Sequence, residues 1–192
     1  MIVSNLIFNR IKCIPSQDLD LINLFLNYKC SIFGGYLRDI ISGCIPSDFD
    51  VLVQMKHADK LISELTVLGY KFSGDVNDLE PPNIIVGNHS TLREIDLHFC
   101  EKLPGESYIY SDLLPDIDIN ALALGNIKKE IILYNWHKAR DPNIQHDLPL
   151  IITDNSILIQ NIKDFKMRII NEDDINKKRL DKYIAKGYSF VS

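Results

Sequence analysis

The sequence predicts an α/β (α+β) core with a small C-terminal helical tail. Three observations lead there. Apolar residues at helical spacing alternate with short apolar runs through the first two thirds of the 192 residues. Glycines fall at the ends of those segments, where chain reversals need them. The last stretch carries only helical patterns. Accordingly the chain divides into a domain over residues 1–150 and a helical extension over 151–192.

Each element has its own signal. Gln17 to Lys29 places Leu19, Leu21, Ile22, Leu24, Phe25 and Leu26 as an amphipathic helix. Cys30 to Phe33 is a short apolar run that reads as a strand, broken by Gly34-Gly35. Tyr36 to Ser42 is a short helix closed by Gly43. Asp48 to Gln54 alternates at its start and carries Phe49, Val51 and Val53, the mark of a strand. Ala58 to Leu68 is helical and stops at Gly69. Tyr70 to Ser73 and Ile84 to Val86 are strands on either side of a Pro81-Pro82 loop, and Glu94 to Phe99 alternates strongly. Strands are also expected from Ile117 onward and over Ile131 to Tyr134. Trp136 to Pro149 is polar and reads as loop. Ser156 to Asn171 and Ile175 to Lys186 are the helices of the tail, with Gly187 as a stop.

Composition narrows the function classes. Apolar residues make up 46% and charged residues 24%, which suits a globular protein with a core and argues against disorder. The net charge of −5 comes without a basic stripe, which disfavours a long nucleic-acid footprint but leaves room for a short acceptor end. Lys177, Lys178, Arg179, Lys182 and Lys186 read as the solvated face of a helix. Cys13, Cys30, Cys44 and Cys100 form no C-x-x-C pair, and His57, His89, His98, His137 and His146 show no metal-ligand spacing, so a structural zinc site is not expected. Scattered cysteines in a well-cored domain read as free thiols in a reducing compartment. No apolar run nears the roughly 20 residues that span a bilayer, and the N-terminal stretch is too polar for a signal peptide. The expected location is cytoplasmic, in a cell or a virus-infected host, with no membrane partner. The abundance of isoleucine, asparagine and lysine fits an AT-rich genome, viral or bacterial.

The chemistry concentrates between Ser31 and Val53. A diglycine between strand and helix lets a ligand approach the backbone free of side chains. The helix start adds unpaired N–H groups and a partial positive charge, which together suit a triphosphate. Asp48 and Asp50 stand two apart on a strand, so their carboxylates share one face while Phe49 packs behind. Two such acids repel unless a cation lies between them, and oxygen ligands suit Mg²⁺. A third carboxylate completes a two-metal site. Asp96 is the first candidate, on a strand face with Glu94 and His98; Asp116 and Asp118 are rivals by the same alternation. His98 itself reads as an ordinary strand histidine. Arg38 either contacts phosphates or pairs with an acid such as Asp39 or Asp50. Trp136 and His137 offer rings that can stack on a base, although a single tryptophan is more often core or cover.

The run Gly34-Gly35-Tyr36-Leu37-Arg38-Asp39, then Gly43, then Asp48-Phe49-Asp50, resembles the head-domain motif of class II tRNA CCA-adding enzymes and bacterial poly(A) polymerases. These are members of the DNA polymerase beta-like nucleotidyltransferase superfamily. Downstream, Asp116-Ile117-Asp118-Ile119-Asn120-Ala121-Leu122-Ala123 resembles that family's Arg-Arg-Asp-Phe-Thr-Ile-Asn-Ala segment. The resemblance covers roughly residues 28 to 135. It implies a nucleotidyltransferase fold, a mixed central sheet flanked by helices. It implies an enzyme that uses Mg²⁺ or Mn²⁺ to transfer a nucleotide from a nucleoside triphosphate to an RNA 3′ end, a protein or a small molecule. By this resemblance and the alternation argument, Asp48, Asp50 and Asp96 are the catalytic and metal-binding residues. Gly34, Gly35, Arg38, Asp116 and Asn120 are the nucleotide-binding ones. The sequence departs from the family at Leu114-Pro115, where the arginine pair falls, and at Asp118, where the threonine falls. Asp164 and Arg168 approximate the family's base-choosing Glu-Asp-x-x-Arg motif with the spacing one too long. Two alternatives share the fold: a nucleotide-binding or interaction protein without catalysis, and a toxin-antitoxin type nucleotidyltransferase.

Overall fold

The computed structural model describes residues 14–75, 84–100, 117–120, 122–127, 130–135, 155–169 and 177–191. In chain order the elements are α1 (Ser16–Asn27), β1 (Ser31–Phe33), α2 (Gly35–Ser42), β2 (Asp48–Gln54), a 3₁₀ turn (Met55–His57) and α3 (Ala58–Val67). Then come β3 (Lys71–Phe72), β4 (Ile84–Asn88), β5 (Glu94–Cys100), a 3₁₀ turn (Asp118–Asn120), β6 (Leu122–Ile127) and β7 (Glu130–Asn135). The chain closes with α4 (Asn155–Lys163), β8 (Lys166–Met167), α5 (Lys177–Ala185) and β9 (Ser189–Phe190).

Seven strands form one mixed sheet in the order β3-β4-β5-β2-β1-β6-β7. Only β2 and β5 run parallel; every other pair is antiparallel. The sheet has a core face and a site face. Ile32, Phe49, Val51, Val53, Ile95 and Leu97 point to the core, where they meet Leu21, Ile22, Phe25 and Leu26 of α1, Leu37 of α2 and Leu61 and Leu65 of α3. Phe49 sits at the centre, with the Tyr36 ring stacked on it at 4.0 Å and the Phe25 ring edge-on at 5.6 Å. Aromatic contacts of this kind add to the area buried. Period-two alternation therefore sends Asp48, Asp50, Asp96 and His98 to the opposite face.

A buried ion pair fixes the ends of the two strands that carry the acids. Asp18 of α1 is fully buried and accepts Tyr36 Oη at 3.0 Å and Arg93 Nε at 2.9 Å. Arg93 also donates to the Pro46 carbonyl. One guanidinium thus ties the first helix to the loop entering β2 and to its own position ahead of β5. A desolvated pair of this kind is costly to break, because removing one partner leaves the other charge buried and alone.

The C-terminal segment shares the same core through Leu158, Ile162, Met167, Tyr183 and Tyr188. It is not purely helical. Helix α4 ends at Lys163 rather than Asn171, because Phe165 turns left-handed at φ 54° and hands the chain to β8, which pairs in parallel with β9. The strand expected from Ile117 onward also differs. Ile117 makes an isolated bridge to Ile169, Asp118–Asn120 is a 3₁₀ turn, and regular pairing begins at Leu122. The Asp118 side chain explains the break: its Oδ1 accepts Arg168 N at 2.8 Å, a local bond that competes with a continuing ladder. No helix among the described residues is long and apolar enough to cross a membrane. The loop expected over Trp136 to Pro149, with its two rings, lies outside the described residues.

Candidate active site

The site begins at the diglycine. Gly34 takes φ 69° and ψ −134°, a backbone region that favours glycine, and caps α2 without a side chain. A Cβ at this position would stand 2.7 Å from Asp50 Oδ2. The carboxylate of Asp50 therefore lies against the start of α2, near its unpaired N–H groups and the positive end of its dipole. Gly43 closes the same helix in the left-handed conformation, with Cys44 N bonded to Asp39 O at 2.8 Å, so α2 has fixed ends.

Parallel pairing then supplies the second acid. In the β2–β5 ladder Asp50 is matched with Asp96, Asp48 with Glu94 and Leu52 with His98. Ligand atoms of Asp50, Asp96 and His98 lie within 4.8 Å of one another. Asp48 stands at the strand start, half-buried, and accepts Ser47 Oγ at 2.6 Å. Burial, reinforced by the Asp50 carboxylate, pushes Asp96 up to about 6 from its ordinary 3.8. Loss of water and the neighbouring carboxylate both disfavour its charged form, and a divalent cation would favour it. Asp96 Oδ1 is buried with no hydrogen-bond partner among the described residues. These oxygens and the imidazole form a donor set that fits a divalent ion.

Asp118, the rival third carboxylate, is elsewhere. It is 3% exposed and engaged with the Arg168 backbone, and burial raises its pKa. Asp116, Leu114 and Pro115 lie outside the described residues.

Arg38 pairs with Asp39, one of the two acids the sequence offered. Nε and Nη2 both reach Asp39 Oδ1 at 2.8 Å, and Nη1 donates to Asn120 Oδ1 at 2.8 Å. Its guanidinium lies 4.7 Å above the Tyr183 ring, and Asn120 Nδ2 donates to Tyr183 Oη at 2.8 Å. Lys186 Nζ completes the cluster on Asp39 Oδ2 at 2.7 Å, so this lysine is not part of a purely solvated face. The network joins α2, the 3₁₀ turn and α5 beneath the diglycine. Gly35 belongs to it by contact, since a Cβ there would come within 3.3 Å of Arg38 Nη2.

His98 is the residue that sequence reasoning passed over as a site member. Its signal was present in the alternation that puts it on the face of Asp96. What the sequence lacked was the parallel partner that brings Asp50 alongside.

A mixed sheet with helices on its core face, and a carboxylate-bearing strand pair beside a diglycine helix start, define a nucleotidyltransferase fold. Solved structures share this fold. A CCA-adding enzyme in complex with CTP superposes with a TM-score of 0.62 at 18% identity, covering 99% of this chain and 42% of its own. The complex of a CCA-adding enzyme with ATP gives 0.61 at 15% identity, covering 99% and 43% respectively. The Thermotoga maritima CCA-adding enzyme complexed with tRNA gives 0.60 at 17% identity, covering 99% and 42%. This chain thus spans well under half the length of the proteins it resembles. No protein-family model and no curated protein matches the sequence.

Proposed function

We propose that this chain is a metal-dependent nucleotidyltransferase that moves a nucleotide from a nucleoside triphosphate to an acceptor hydroxyl, with an RNA 3′ end as the favoured acceptor. One observation carries the reading: Asp50 and Asp96 share a rung of the β2–β5 ladder directly beside the Gly34 bend. The complexes of similar structures with CTP, ATP and tRNA support the substrate classes.

Asp48, Asp50 and Asp96 would hold the divalent ion. Bound there, it neutralises phosphate charge and lowers the pKa of an attacking hydroxyl. The chain's own residues do the positioning. Gly34 and Gly35 keep the backbone bare, so phosphate oxygens reach the N–H groups at the start of α2. Arg38 and Asn120, bonded to each other and buried, serve the nucleotide by holding that helix in place. Asp116 is assigned to the nucleotide side by its match to the family segment.

The test uses labelled nucleoside triphosphates with Mg²⁺ or Mn²⁺ and total cellular RNA. Label transfer is expected in the parent chain. Asp48→Ala and Asp50→Ala are each expected to lower it by at least about a hundredfold, the scale of removing about 2.7 kcal/mol of transition-state stabilisation. Undiminished transfer in either variant defeats the assignment. Calorimetry that finds nucleotide binding, with no turnover across a broad acceptor screen, replaces the enzyme with a nucleotide-binding protein on the same fold.

A further inference from the structure

We infer that His98 is a ligand of the ion held by Asp50 and Asp96, and that the site therefore takes a first-row transition-metal dication, Mn²⁺ being the probe, in preference to Mg²⁺. The inference deepens the proposed function and rests on its reading of those two acids as metal ligands.

His98 is 8% exposed, yet neither ring nitrogen has a hydrogen-bond partner among the described residues. Nε2 stands 3.5 Å from Asp50 Oδ1, an ion-pair distance without hydrogen-bond geometry. A buried imidazole usually satisfies at least one nitrogen. Here the unmet nitrogen shares its neighbourhood with an unmet oxygen, Asp96 Oδ1. The three side chains place ligand atoms within 4.8 Å of one another, so bonds of about 2.1 Å to a shared ion need only a small inward closure of the side chains.

The ring is also held in place. The Phe33 ring packs edge-on against it at 5.0 Å, and its backbone is matched with Leu52 on one side and Ile84 on the other. A donor on the middle strands of a sheet is more rigid than one on a loop. Mg²⁺ prefers an all-oxygen octahedron and keeps much of its water. Imidazole nitrogen is a poor partner for it and a good one for later first-row ions. One histidine among carboxylates shifts the preference without abolishing Mg²⁺ binding.

The experiment uses the full chain without nucleotide. Free Mn²⁺ is measured by electron paramagnetic resonance during titration, with Mg²⁺ as competitor, and pulsed measurements look for ¹⁴N coupling to bound Mn²⁺. Mn²⁺ is expected to bind at least about tenfold tighter than Mg²⁺, with clear ¹⁴N modulation. His98→Ala is expected to weaken Mn²⁺ by about tenfold or more, to change Mg²⁺ less than about threefold, and to lose the modulation. His98→Asp, which returns an oxygen, is expected to narrow the Mn²⁺/Mg²⁺ ratio. Absence of ¹⁴N modulation in the unsubstituted chain overturns the inference without reference to any variant's folding. In that outcome Mg²⁺-dependent transfer still stands by its own assay. If no ion binds at all, the inference falls, while the metal-dependent reading is decided by the transfer assay, in which the nucleotide's phosphates supply further oxygen ligands.

Discussion

At Gly34 two demands coincide. The backbone angle favours glycine, and the space a Cβ would occupy belongs to the Asp50 carboxylate at 2.7 Å. Gly34→Ala is therefore expected to cost about 1–3 kcal/mol in chemical denaturation and to lower nucleotide transfer as well. In an Asp50→Ala background the steric part disappears and only the backbone part remains. A double-mutant cycle should then show a coupling of roughly 0.5–3 kcal/mol between the two positions. Strict additivity would mean that the carboxylate does not press on the bend. The pairing of Gly34 with Asp50 was legible in the sequence as a diglycine followed by Asp-x-Asp. The membership of His98 was not, because a lone histidine on a strand carries no local mark of its partner.

Among the elements, α5 shows how a remote segment can serve a site it does not enter. Its Tyr183, and Lys186 one residue past its end, meet Arg38, Asp39 and Asn120, so the last helix braces the one that starts at the diglycine. Asp39 and Arg38 have side chains only 2% and 4% exposed. Asp39→Ala would leave the guanidinium buried with its carboxylate gone, at an expected cost of about 3–5 kcal/mol. Lys186→Met removes a more exposed partner and leaves Asp39 paired, so a loss of no more than about 1 kcal/mol is expected. Urea unfolding of the two variants checks the order, and equal losses would show that Arg38 does not depend on Asp39. Helical spacing and glycine stops located α1, α2, α3 and α5 well, and Asp48–Gln54 is the strand the alternation described. Strands β8 and β9 have two residues each, too few to show any periodicity. The early end of α4 depends on Phe165, a residue whose left-handed turn no propensity would suggest.

For the whole molecule, the closely packed acids make stability depend on pH in a definite direction. Asp96 is raised from 3.8 to about 6 by burial and by Asp50, so the metal-free fold holds its proton where the unfolded chain has released it. The contribution is fully present below the unfolded value and is lost as pH rises through about 6. The melting temperature of the metal-free chain should therefore carry a component that falls across that window. Added Mn²⁺ should raise the melting temperature more above the window than below it, because protonated Asp96 is a poor ligand. An Asp96→Asn variant should lose the metal-free component, and one that kept it would place the titration elsewhere. At this scale the sequence spoke for the class of fold and for the core stripe. The strand order of the sheet was beyond it, since local pattern says nothing about which strands become neighbours.

The matched rung has a further consequence for how the protein comes together. Asp50 and Asp96 are far apart along the chain and adjacent only after β5 has inserted beside β2 in parallel. Parallel neighbours depend on a long crossover, so such pairings form slowly and cooperatively with the surrounding sheet. The ligand cluster is thus absent from any single segment, and an ion that selects it selects the finished assembly. An ion bound there would favour the completed sheet by mass action over any form in which β5 has yet to insert.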